Sequence, residues 1–108
     1  MEPVDRMVQL RETVWQLVAA IPEGQVATYG QLARLAGYPS HARYVGTTLN
    51  RLPKGTALPW FRVLRSSGEL AFPPGSAAWK KQKSLLEREG VLLRGMKVDL
   101  RTRQWRPD

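Results

Sequence analysis

The chain has 108 residues, a formal charge of +8 and a pI near 10.6. That length suits one domain, residues 1–108, with a single modest core. The absence of cysteine excludes disulfides, thiolate zinc sites and cysteine nucleophiles, and the lone histidine, His41, excludes the usual multi-histidine metal centre.

Residues 5–21 read as a helix. Asp5 suits its N-cap, and Leu10, Val14, Leu17, Val18 and Ile21 recur at helical spacing. Pro22-Glu23-Gly24 ends it. Val26-Ala27-Thr28 is short and extended, and Thr28 is placed to cap a helix over 29–36 that buries Leu32, Leu35 and Ala36. After the turn Gly37-Tyr38-Pro39-Ser40, Ser40 is the expected cap of a helix from His41 to about Arg51, with Val45, Leu49 and Leu52 inward. Two short helices joined by a four-residue, glycine-containing turn form a helix-turn-helix pattern. The outward positions of the second helix are His41, Arg43, Thr47, Asn50 and Arg51. Gly46 lies in its interior, where glycine costs roughly 1 kcal/mol relative to Ala. Close packing on another helix would account for it, and so would close approach of a nucleic-acid backbone.

A loop from Pro53 to Pro59 follows. Arg62-Val63-Leu64 and Glu69-Leu70-Ala71 flank Ser66-Ser67-Gly68 and read as a short hairpin. After a second loop, Phe72 to Ser76, residues 77–89 form an amphipathic helix with Trp79, Leu85 and Leu86 as core candidates and Gly90 closing it. The tail VDLRTRQW reads as a strand or an ordered strap anchored by Trp105.

Twelve of the seventeen basic residues are arginine, and no acid occurs between Glu23 and Glu69. That acid-free stretch carries Arg34, Arg43, Arg51, Lys54, Arg62 and Arg65. Folded onto one face, it would suit phosphates. No apolar run approaches the about 20 residues that cross a membrane, and Glu2 and Asp5 do not fit a signal peptide, so a cytoplasmic protein with no membrane partner is expected. Support for catalysis is thin. His41 has no acid or second histidine near it in sequence. Ser66 and Ser67 fit turn or phosphate-contact roles. Glu87 and Glu89, two apart, point to different helix faces and read as solvated or helix-pairing residues. No catalytic residue, cofactor or metal is expected.

The strings IPEGQVATYGQLARLAG, ARYVG, PWFRVLRSSGEL and KKQKSLLEREGV occur in the order and spacing of the C-terminal domain of the O6-alkylguanine-DNA alkyltransferases. The resemblance runs from about Val14 to Val91. Where that family has Pro-Cys-His-Arg-Val, this chain reads Pro59-Trp60-Phe61-Arg62-Val63. Trp60 replaces the alkyl-accepting thiol and Phe61 the activating imidazole. An indole is no thiolate, and a phenyl ring moves no proton. The chain therefore resembles the alkyltransferase-like proteins, which lack the alkyltransferases' separate N-terminal domain.

That resemblance implies a mainly α, winged-helix-like fold with a helix-turn-helix and a short β-hairpin. It also implies a monomer that binds O6-alkylguanine in double-stranded DNA through the minor groove, flips the nucleotide, performs no repair and marks the site for nucleotide excision repair proteins. When bound, it would associate with the nucleoid. Arg43 matches the finger that fills the stack, and Tyr29 the residue that turns the nucleotide outward. Thr28, Ala42, Tyr44, Gly46, Thr47, Asn50, Ser66 and Ser67 fall at DNA-contacting positions. Tyr29, Trp60, Phe61 and Val63 fall at the lesion pocket. Some relatives carry a basic contact near the position held here by Pro73. Singly, Tyr29 reads equally as a cap, Arg43 as a surface ion-pair partner and Trp60 as a core ring. In register they point to binding. The alternatives are a sequence-specific regulator using the same helices in the major groove, and a residual enzyme that removes the alkyl group by another route.

Overall fold

The first helix, α1 (Arg6–Ala20), buries Leu10, Val14 and Val18 along one stripe, and Ile21 continues it. The structure, a computed structural model, describes residues 6–53 and 55–107, so the expected cap Asp5 lies outside the described residues. Strand β1 (Ala27–Thr28) leads straight into α2 (Tyr29–Leu35). A capping box starts α2. Thr28 Oγ1 accepts the Gln31 N–H at 3.1 Å, and the Gln31 side chain returns the bond to the Thr28 N–H at 3.4 Å. Leu32 and Ala33 are the buried apolar residues of α2. Leu35, expected inside, is 40 % exposed, because the face that meets the core is carried by Leu32, Ala33 and Ala36.

Helix α3 (Ala42–Asn50) packs on α2 and α1. Its N-cap is His41 and makes no side-chain cap bond. Ser40, the expected cap, instead places its hydroxyl 3.2 Å from His41 Nδ1. One core cluster lies between these three helices and includes Leu10, Val14, Val18, Leu32 and Val45.

A 3-10 turn, Trp60–Arg62, precedes strand β2 (Val63–Leu64). Strand β2 does not form the expected hairpin with Glu69–Ala71. It pairs in parallel with β1, Ala27 to Val63 and Thr28 to Leu64. What survives of that hairpin is a tight turn, closed by the Arg65 N–H to the Glu69 carbonyl at 3.0 Å and the Gly68 N–H to the Arg65 carbonyl at 2.9 Å. Gly68 has φ +91°, and a Cβ there would meet the Val98 carbonyl at 2.8 Å, so the turn requires glycine. The hairpin of the fold lies further on, between β3 (Leu93–Arg94) and β4 (Lys97–Val98).

Alternation along the strand pair separates two cores. Ala27 and Val63 face the three-helix cluster. Val26 and Leu64 face a second cluster with Leu70, Leu86, Val91 and Val98. Helix α4 (Ala77–Arg88) covers that second core. Ser76 caps its start, accepting the Trp79 N–H at 3.2 Å. Gly90, at φ +81°, ends it in a Schellman arrangement, with bonds from the Val91 N–H to Leu86 O and from the Gly90 N–H to Glu87 O. The tail forms β4, then α5 (Leu100–Arg103), then a strap. The Trp105 N–H donates to Val26 O at 2.7 Å, and Trp105 O accepts from Gln31 Nε2 at 2.6 Å. The fold is mainly helical, a helix-turn-helix with a small winged appendage, as expected.

Candidate nucleic-acid interface

The parallel pairing of β1 with β2 decides what stands beside Tyr29. Thr28 pairs with Leu64, so the next residue of each chain segment, Tyr29 and Arg65, leave the ladder together. Burial raises the Tyr29 phenol above its ordinary value, and the Arg65 charge opposes only part of that rise. The hydroxyl is therefore protonated at neutral pH and available as a donor. Ser66 Oγ lies on the same side, 3.6 Å from where a Cβ on Gly30 would sit.

Arg43, Gly46, Thr47 and Asn50 share one stripe of α3, at spacings of three, four and seven residues. Arg43 and Asn50 are exposed, and Gly46 and Thr47 partly so. Thr47 Oγ1 donates to Arg43 O at 3.1 Å. Among the described residues the ion pairs are Arg62–Glu89 and Arg101–Asp99, so no described carboxylate holds the Arg43 guanidinium. A Cβ on Gly46 would lie 3.8 Å from Cε1 and Cζ of Tyr29, an ordinary contact. Packing inside the protein therefore does not require this glycine. Gly46→Ala should stabilise the free protein by up to about 1 kcal/mol through helix propensity. It should also weaken duplex binding severalfold, because the methyl would lie beside the Tyr29 ring on the stripe that carries Arg43, Thr47 and Asn50. Denaturant titration and equilibrium binding check the pair, and undiminished binding would remove Gly46 from any close approach to DNA.

Three expected contacts lie elsewhere. Thr28 is 6 % exposed and its hydroxyl is committed to the α2 cap, so it positions Tyr29 and does not face outward. The Tyr44 hydroxyl donates to Met7 O at 3.0 Å, which ties α3 to α1 and turns the ring toward the core. Val63 is fully buried and is not among the described residues that line the cavity beside Trp60. Ala42 is half-buried against the first core. Ser66 and Ser67 are exposed, with Ser67 Oγ donating to Glu69 Oε1 at 2.8 Å.

Beside this face opens a cavity of about 790 Å³. Tyr29, Trp60 and Phe61 line it together, with Leu49 and Asn50 from the end of α3 and Phe72 from the following loop. Trp60 meets Phe61 and Phe72 edge-on, with ring centroids 5.9 and 6.1 Å apart. Phe61 also packs on the second core, so the rings stand on a fixed base. Sequence reading missed the residue that supports them. Gln82 of α4 is fully buried. Its Nε2 donates to the carbonyls of Phe61 and Val63 at 3.1 and 3.0 Å, and its Oε1 accepts the Ala71 N–H at 3.0 Å. Both sides of the cavity loop are thereby bound to α4. A glutamine on an otherwise apolar helix face is the one signal that pointed there.

Arg62 does not join the open face either. Its Nε donates to Glu89 Oε1 at 2.9 Å, its Nη2 to Glu89 Oε2, and its Nη1 to Ile21 O at 2.8 Å. Glu89, read above as a solvated or helix-pairing residue, also accepts the Gly24 N–H at 3.1 Å. The exposed arginines of the acid-free stretch are Arg34, Arg43, Arg51 and Arg65.

A helix-turn-helix with a glycine-bearing second helix, set beside an aromatic cavity, defines a class of DNA-binding domain. The description "6-O-methylguanine DNA methyltransferase, DNA binding domain" matches residues 9–91. The chain belongs to that family, on its alkyltransferase-like branch. It is 42 % identical over 105 residues to the DNA base-flipping protein of Escherichia coli, covering 96 % of this chain and 80 % of the relative. It is 39 % identical over 107 residues to alkyltransferase-like protein 1 of Schizosaccharomyces pombe, covering 94 % of this chain and 99 % of the relative. The crystal structure of that yeast protein in complex with damaged DNA containing O6-carboxymethylguanine superposes with a TM-score of 0.87 at 38 % identity, over 95 % of this chain and 100 % of the other. Against the methylated-DNA–protein-cysteine methyltransferase of Salmonella typhimurium, identity is 41 % over 80 residues, 74 % of this chain but 46 % of the enzyme.

Proposed function

We propose that this protein recognises O6-alkylguanine in duplex DNA without repairing it. In this reading α3 enters the minor groove, and Arg43 takes the place of the extruded nucleotide in the stack. A planar guanidinium can both stack on bases and donate to the orphaned cytosine. Tyr29 crowds the adjoining phosphate and turns the nucleotide toward the cavity, where Trp60, Phe61 and Phe72 hold the base by its faces and edges. The bound complex then marks the lesion for nucleotide excision repair proteins, with the protein acting as a monomer.

The observation that carries this reading is the setting of Trp60. The Trp60 indole stands on the cavity wall, at the position that the motif resemblance gives to the family's acceptor thiol, and the 108 residues contain no cysteine. A ring at that position adds contact area for an alkyl group and cannot accept it. The neighbouring Phe61 cannot act as a base. The yeast relative in complex with damaged DNA, and the base-flipping proteins in bacteria, support the same use of the fold.

The test is a pair of duplexes that differ at one base, O6-methylguanine or guanine, at physiological salt. Tighter binding of the damaged duplex is expected. Equal affinity, or preference for one undamaged sequence, would end this reading and favour a regulator.

A further inference from the structure

The cavity's described lining is neutral at every residue but one. Helix α4 presents Ala78, Lys81 and Leu85 to it, at spacings of three and seven residues, so all three sit on one helical face. The three hydrogen bonds of the adjacent Gln82 fix that stretch of α4 against the Trp60–Phe61 turn, and so fix the point from which Lys81 reaches out. The next lysine along, Lys83, is occupied differently, with its ammonium 5.6 Å from the centre of the Trp79 ring. Lys81 takes part in neither of the ion pairs formed among the described residues. Lys81 is exposed, and its ammonium is a mobile point charge at the edge of an aromatic-walled space, within reach of a substituent that enters it. A methyl group on O6 has no use for that charge. It also leaves most of 790 Å³ empty, a volume within the roughly 300–1,000 Å³ of pockets that take drug-sized ligands.

We infer that Lys81 sets adduct specificity, favouring O6 substituents that end in an anion, such as carboxyalkyl groups, over neutral substituents of the same size. The inference rests on the lesion-recognition reading above. Lys81 selects by pairing its ammonium with the terminal carboxylate, while the ring walls hold the base whatever its substituent.

The experiment uses three duplexes identical except for one base: O6-carboxymethylguanine, O6-(2-hydroxyethyl)guanine or guanine. The first two adducts are close in size and differ in charge. All three duplexes carry the same phosphates, so any contact of Lys81 with the backbone cancels in their affinity ratios. The intact protein should prefer carboxymethyl to hydroxyethyl by about fivefold, the size of one partly exposed charge-assisted contact. Lys81→Met should bring that ratio to within twofold of unity, and Lys81→Arg should keep it. A flat ratio in the intact protein, or one unchanged by Lys81→Met, overturns the inference. If hydroxyethylguanine is still bound better than guanine in that case, lesion recognition stands and only the role of Lys81 falls. If neither adduct is bound better than guanine, the parent reading falls and the inference with it.

Discussion

Arg62→Met should destabilise the protein by about 3 kcal/mol or more, while the lysine and arginine substitutions on its open face leave stability nearly unchanged. Removing one partner of a buried ion pair strands the other, at a typical cost of about 3–5 kcal/mol. The side chains of Arg62 and Glu89 are only 15 % and 9 % exposed. The guanidinium also donates to Ile21 O at the end of α1, and Glu89 holds the Gly24 N–H. The pair thus joins three segments: the loop after α1, the turn that carries Trp60, and the end of α4. Denaturant unfolding of the single variants and of the double variant Arg62→Met/Glu89→Leu checks the origin of the effect. The double variant should cost clearly less than the sum of the singles, because no charge is then left buried. A loss below about 1 kcal/mol for Arg62→Met would show the pair to be an ordinary surface contact.

The same pair predicts a pH dependence. Burial alone would raise the Glu89 carboxyl, but the hydrogen bonds from Arg62 and the Gly24 N–H, with the Arg62 charge, together hold it below the ordinary carboxylate value. A carboxyl depressed in the folded state stabilises the fold above its unfolded value, about 4.3 for Glu. That contribution is lost as pH falls from there through the lower folded value. Glu89→Gln should therefore flatten the acid limb of the stability curve, and an unchanged slope would remove Glu89 from it.

Arg43→Ala should weaken binding to a duplex carrying O6-methylguanine by at least about tenfold, equivalent to roughly 1.4 kcal/mol. The loss should exceed that for undamaged DNA, where the variant gives up little more than one phosphate-steering charge. Arg43 is exposed, stands at the start of the α3 stripe, and is held by no described carboxylate, so it is free to enter the duplex. Arg43→Lys separates charge from shape. It keeps the cation but lacks the plane that stacks and the fork that donates to a base. It should recover the affinity for undamaged DNA and little of the preference for the lesion. A loss under twofold for Arg43→Ala on damaged DNA would remove the finger assignment.

Much of the fold was legible in local pattern. The Thr28 cap of α2, the apolar stripe of α1 and the Gly90 cap of α4 are each written within a few residues, whereas Gln31 completing the box and Ser76 capping α4 emerge only in the structure. What the local pattern could not carry is pairing between distant segments. Residues 62–71 have the alternation and turn of a hairpin, yet β2 pairs with β1, over thirty positions earlier, because Val63 and Ala27 share one core while Leu64 and Val26 share the other. Arg62 reads as one more surface cation until Glu89 is brought against it. Gln82 reads as a polar interruption until the Phe61 and Val63 carbonyls are seen to need donors. The site shows the same division. Tyr29, Trp60 and Phe61 were identified by motif and meet at the cavity. The inward turns of Tyr44 and Val63 follow from α1 and the second strand, which no motif describes. Lys81, one of three lysines in four positions, is singled out only by the face of α4 that it occupies.

The most direct test of lesion recognition without repair is one sample measured twice. Affinity is determined for duplexes with O6-methylguanine and with guanine at physiological salt, and the masses of protein and DNA are then recorded after prolonged incubation. The expected result is tighter binding of the damaged duplex, with the protein unmodified and the methyl still on the base. Equal affinities would contradict recognition, and a methylated protein or restored guanine would contradict the absence of repair.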